Sequence, residues 1–189
     1  PSPAYEALVR AQNPVRYYRL NEAAYTPGEP VAAVNQGSLG AWANGTYEAG
    51  ALTGVQGPPF AGFGAGNTGL RISSIAGEVV IPEQSIEAAA FTITCWFKRS
   101  GAHAAGQALV FTRRESDQGM ATGLGFGYNG SPGVDQLNVH WNEGPSSWLT
   151  GLTPPNDVWC FAAAVYEPAK VTVYLNQASS STNTTLGTH

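Results

Sequence analysis

Apolar and polar residues alternate through much of the second half of this chain. In FTITCWFKR, Phe91, Ile93, Cys95 and Phe97 fall on one side of an extended backbone, and Thr92, Thr94, Trp96 and Lys98 on the other. VTVYLN repeats the pattern, with Val171, Val173 and Leu175 set against Thr172 and Tyr174. A period of two predicts strands with one face in a core and the other half exposed. The same reading predicts strands near 70–72, 78–82, 91–99, 107–113, 123–128, 136–142, 148–150, 158–166 and 171–176. Turn-forming runs such as SGAHAAG, NGSPGVD, NEGPSS, PPND and EPAK separate them. Many short strands joined by Gly- and Pro-containing turns predict a β-sandwich or barrel.

The first half reads differently. AYEALVRA places Tyr5, Leu8 and Val9 at helical spacing, and Pro14 follows, so one short N-terminal helix is predicted. VRYYRL comes next as a strand, with Val15, Tyr17 and Arg19 on one face and Arg16, Tyr18 and Leu20 on the other. From Tyr25 to Gly69 the chain is rich in Gly, Pro and Ala and shows little periodicity, with GTYEAG as one strand candidate. A connection this long is uncommon unless it is functional or wraps the domain. At the other end, residues 178–189 form a polar tail, either an edge strand or disordered.

Composition narrows the class. The chain has 189 residues, enough for a single domain over 1–189 with a sizeable core. Charged residues make up only 12%, too few to cover several surface helices, while Gly (23), Pro (13) and Trp (5) favour an all-β fold. The net charge is −4 and the nine basic residues are scattered, so the clustered positive footprint of a nucleic-acid-binding protein is missing. No apolar stretch approaches the roughly 20 residues of a membrane span. The start, PSPAYEAL, has neither a basic nor a hydrophobic run, so an exported protein would have lost its signal before this point.

Five segments carry a family resemblance: NPVRYYRLNEAA, GTYEAG, GLRI…GEVVIP, FTITCWFKR and VWCFAAAVYEPAKVTVYLN. In this order they resemble laminin-G-like domains of the concanavalin A-like lectin/glucanase superfamily, over Ala4 to Asn176. The resemblance implies a two-sheet antiparallel jellyroll β-sandwich, here all-β with a short N-terminal helix, and an accessory role in secreted proteins. It also implies that Tyr18, in place of a common Trp, and Trp96 and Trp159 sit in the core. Asn21 departs from the family's usual acidic residue, and Gln177 from the usual Gly after LN. The family's last strand, with its acidic residue, is missing before His189. Either the sandwich closes differently or that strand comes from elsewhere.

Enzymes of the wider fold that cut β-glucans resemble one another in a Glu-x-Asp-x-x-Glu strand, which this chain lacks. Retaining hydrolysis needs two carboxyl groups about 5 Å apart. The nearest acidic pairs, Glu115 with Asp117 and Glu78 with Glu83, read as solvated turn or strand-end residues. There is no G-x-S-x-G motif, and His103, His140 and His189 form no pattern with a nucleophile or a metal. The chain is expected not to be an enzyme.

Sugar binding fits the aromatics better. NVHWNEGPSSWLTG places His140, Trp141, Asn142, Glu143 and Trp148 around one hairpin, and Trp42 lies in the long N-terminal stretch. Indole faces stack on the apolar faces of sugar rings, and amides and carboxylates bond the hydroxyls. Burying about 100 Å² on one Trp contributes at most ~2.5 kcal/mol. Two platforms with hydrogen bonds would reach roughly −4 to −8 kcal/mol, or millimolar to micromolar binding. Each of these tryptophans is either such a platform or part of the core.

The resemblance also implies Ca²⁺ at a rim, with Asn21, Glu22 and Asn35 as the nearest oxygen donors. Glu22 could instead pair with Arg19 or Arg16. Cys95 and Cys160 would close a loop of about 65 residues worth roughly 4 kcal/mol if they bonded across the core. Otherwise they are two buried thiols. The expected function is a secreted, extracellular or cell-surface carbohydrate-binding module whose partner is a polysaccharide or glycan. Its rival is a structural or adhesion domain that self-associates, or contacts other domains, through an open sheet edge.

Overall fold

The computed structural model describes residues 3–24, 31–74, 76–83, 88–101, 107–114, 117–127, 135–140 and 148–183. The chain divides into two compact units, Pro1–Gln84 and Ser85–His189.

The first unit begins with helix α1 (Pro3–Ala11), as its spacing predicts. Strands β1 (Ala32–Ala33), β2 (Gly45–Tyr47) and β5 (Val79–Val80) form one small antiparallel sheet in the order β1-β2-β5. Strands β3 (Ala51–Gln56) and β4 (Thr68–Ile72) form a hairpin. Ala33, Tyr47 and Ala51 are buried together, with Tyr18, Leu20, Val31, Leu70 and Val79 against them. Strand β3 escaped the periodicity reading because its inward positions include Thr53 while Leu52 points outward, so apolar character does not follow burial, and its register shifts between Leu52 and Val55. At the shift Gly54 turns to φ +74°, where a Cβ would meet the backbone N of Ala24 at 2.9 Å.

The segment 15–20, expected as a strand, joins no ladder among the described residues; an isolated bridge links Tyr18 to Asn35. The cause is local. The Tyr17 N–H donates to Asn35 Oδ1 at 2.9 Å instead of to a neighbouring strand, and Leu20 turns out at φ +51°. The inward residues agree with the alternation, since Tyr18 and Leu20 both pack on the core while Val15 is exposed. The expected partner of Arg19 is corrected: its guanidinium bonds Glu6 at 2.9 Å, and Arg10 bonds the same carboxylate. The hydrogen bond from Arg10, helped by both positive charges, holds the Glu6 carboxyl below the usual range.

The second unit is a sandwich of two four-stranded antiparallel sheets. One runs β10-β9-β8-β7, from β7 (Ala108–Arg114), β8 (Asp117–Phe126), β9 (Leu137–His140) and β10 (Trp148–Leu149). The other runs β13-β12-β11-β6, from β6 (Phe91–Phe97), β11 (Cys160–Glu167), β12 (Lys170–Leu175) and β13 (Ala178–Asn183). Residues from both sheets share one core: Leu124, Phe126, Leu137 and Val139 from the first, and Phe97, Ala162, Ala164, Tyr166, Val171 and Val173 from the second. The Tyr166 hydroxyl crosses it to donate to the Gly123 carbonyl at 2.8 Å. Burial pushes that hydroxyl's pKa up, so it stays a donor. Residues 178–183 are thus an edge strand, paired with β12 along their whole length; residues 184–189 lie outside the described residues.

Candidate functional site

Trp42 stands out in the first unit. Its residue is 68% exposed, carried on a 3-10 turn over Gly40–Ala43. The turn itself is tightly held. Asn35, only 5% exposed, lies beneath it. Its Nδ2 donates to the Gly40 carbonyl at 3.0 Å, its Oδ1 accepts from the N–H groups of Tyr17 and Gly37, and its own N–H donates to Asn44 Oδ1. The Tyr18 hydroxyl donates to the carbonyl of Ala43, which is fully buried. An indole is therefore presented to solvent on a backbone with little freedom left to lose, the arrangement that makes a binding contact cheap in entropy.

Of the other expected ligand residues, His140 and Trp148 lie on the adjacent strands β9 and β10. Trp148 is half-buried and packs on the sandwich core, with Val139 opposite it across the β9–β10 pair. His140 ends β9, and its ring meets Phe111 edge-on with centroids 5.0 Å apart. Phe111 lies across Gly123 and Gly125, whose missing side chains make room for it. Next along β9, Asn138 is fully buried and neither amide atom has a hydrogen-bond partner among the described residues. Trp141, Asn142 and Glu143 lie outside the described residues.

Trp96 and Trp159, expected in the core, are only half-buried. Alternation on β6 sends Phe97 inward and Trp96 to the outer face, where its ring meets Phe161 of β11 at 5.3 Å. The Lys98 ammonium lies 5.7 Å from the Trp159 ring centroid. Tyr174 of β12, 42% exposed, belongs to the same face. The signal for this surface was in FTITCWFKR itself, in the out-pointing set that includes Trp96 and Lys98.

Of the expected Ca²⁺ donors, the side chains of Glu22 and Asn35 are engaged within the fold. Both Glu22 carboxylate oxygens accept hydrogen bonds, one from the Val34 N–H at 2.9 Å and one from the Tyr47 hydroxyl. Asn35 Oδ1 faces two N–H groups, and the Asn21 carbonyl accepts from the Thr68 hydroxyl at 3.2 Å. Oxygens turned onto donors in this way do not fit a cation that needs six to eight of them. Among the described residues no group of three or more His, Cys, Asp or Glu could hold a metal.

A laminin G-type model described as the concanavalin A-like lectin/glucanases superfamily matches residues 73–189, the stretch that holds the sandwich. The chain belongs to this superfamily. No curated protein and no solved structure matches it. Membership carries a lectin-like or adhesion fold, and laminin G-like domains are typically non-catalytic.

In this superfamily member the two cysteines are free thiols. They do not face one another across the sandwich. Both belong to one sheet, with Cys95 opposite Ala162 and Cys160 opposite Phe97. That diagonal relation sets them about 7–8 Å apart, beyond the roughly 4.4–6.8 Å Cα window of a disulfide. Burial pushes the Cys95 thiol up to about 12. At pH 8 a thiolate fraction on the order of one in ten thousand follows, too small for ready reaction. Cys160 is fully buried and out of a reagent's reach, so titration with a chromogenic disulfide at pH 8 is expected to label almost no thiol in the native protein and two per chain in denaturant. Finding none in denaturant would mean that the cysteines are oxidised.

Proposed function

We propose that this chain is a non-catalytic, extracellular carbohydrate-binding module that meets a polysaccharide or glycan through Trp42. The observation that carries the reading is the exposed indole on its pinned turn. Left in water, an indole loses the apolar burial that a folded protein otherwise gives it, and the apolar face of a sugar ring restores that burial. The lectin-like superfamily supports the reading, and so does the outer-face set of Trp96, Phe161 and Tyr174, a second aromatic surface bordered by the hydroxyls of Thr92 and Thr94. With one or two rings engaged, affinity belongs in the millimolar to micromolar range, roughly −4 to −8 kcal/mol.

Retention on insoluble polysaccharides and on a glycan array tests it. Binding to at least one glycan, with no release of reducing sugar from it, is the expected result. No retention on any glycan, or sugar release, would overturn the proposal.

A further inference from the structure

Among the described residues the sandwich has four edge strands, and three of them are guarded. A bare sheet edge shows unpaired N–H and C=O groups that invite another strand, and proteins blunt it with shortness, charge, proline or bulges. β10 is only two residues long. β7 has two register shifts, between Ala108 and Val110 and between Arg113 and Arg114. β6 runs into Lys98 and Arg99 at its end, where the segment 154–157 bonds over it. There Arg99 Nε donates to the Pro154 carbonyl at 2.8 Å, and the Gly101 N–H donates to Asn156 Oδ1 at 2.8 Å.

β13 has none of these devices. It is six residues long and pairs with β12 in unbroken register from Ala178 to Asn183. Its sequence, ASSSTN, contains no charge, proline or glycine. Successive residues of an antiparallel strand send their N–H and C=O groups to opposite edges, so half of these groups point away from β12. Among the described residues nothing pairs with that side.

The chemistry of the strand also selects its occupant. A charged edge repels its own copy, whereas a charge-free row of small hydroxyl residues meets itself without repulsion. Ser and Thr placed opposite each other across strands form hydrogen bonds. A second identical β13 brought in antiparallel about a two-fold axis satisfies both edges at once, in a closed isologous contact. We propose that the free edge of β13 pairs with β13 of a second copy of this chain, joining two four-stranded sheets into one continuous sheet. This contact does not depend on the glycan reading. Where both hold, a dimer carries each glycan contact twice and gains avidity on a polymeric ligand.

The test is sedimentation of the full chain over a concentration series, with the double variant Ser179→Lys and Ser181→Lys beside it. Both serines are exposed, so the lysines fit the fold, but in the pair they crowd like charges together. Expected is a wild-type dimer, and in the variant a dissociation constant at least about tenfold higher that recovers in high salt. A wild type that stays monomeric at every concentration overturns the proposal, as does a dimer indifferent to the lysines. Amide exchange of the wild type gives a reading free of any variant. Protection of residues 178–183 should rise with protein concentration, and protection that does not change with it also overturns the proposal.

Discussion

Alanine at position 42 is expected to release the protein from any polysaccharide that retains it, weakening binding by up to roughly 60-fold, with the melting temperature unchanged. The magnitude follows from area. A sugar ring covers about 100 Å² of an indole, worth up to ~2.5 kcal/mol at ~25 cal/mol per Å², and each 1.4 kcal/mol is about tenfold in affinity. The unchanged melt follows from exposure. At 68% exposed, the side chain contributes little to the core, and surface truncations of this kind stay within about 0.5 kcal/mol. The turn beneath keeps its shape because Asn35, Asn44 and Tyr18 hold its backbone and not its ring. Affinity electrophoresis in polysaccharide gels, read beside a thermal melt, separates the two effects. Lost binding with a lowered melt would mean that Trp42 is a packing residue. Unchanged binding would move the contact to another aromatic, with Trp96→Ala as the next variant.

Alanine at position 123 has the largest expected effect on stability. Its Cβ would sit 2.2 Å from the Val110 carbonyl oxygen and 2.3 Å from Phe111 Cδ1, both in the neighbouring strand. A backbone atom cannot rotate aside, so β7 and β8 must separate. That strains the hydrogen bond from the Tyr166 hydroxyl to the Gly123 carbonyl, which ties the two sheets together. Overpacking of this kind costs about 1–3 kcal/mol, and a buried hydrogen bond left unmade adds about 1–3 more. For a unit near 100 residues, at roughly 4–8 °C per kcal/mol, the melt should fall by more than about 10 °C. Gly62→Ala is the control: its methyl would lie 3.4 Å from Tyr5 Cβ, ordinary contact, and its melt should stay close to wild type. A Gly123→Ala melt equal to that of the control would mean that the two strands do not approach as described.

Tyr18 and Leu20 reach the core as their alternation indicates, yet their segment is no strand, because the Asn35 amide takes the Tyr17 N–H that a ladder would have used. The family resemblance made the same asparagine a candidate metal donor. Its actual role depends on Gly40 and Asn44 folding back over it. Trp96 shows the opposite case. Its outward direction was legible in the period of β6, and the family resemblance placed it inward instead.

Local pattern by itself determined the helix α1, the inward faces of β6 and β12 and the all-β class, because a period of two or 3.6 is a property of consecutive residues, while the superfamily was legible in the order of five segments. The tertiary structure alone decided that Cys95 and Cys160 share a sheet, that Asn35 pins a turn, that Trp42 faces solvent and that β13 is left as an unguarded edge. Each of these depends on which distant segments meet. Strand order, burial and the partners of an amide are set by contacts between residues far apart in sequence, and no periodicity records them.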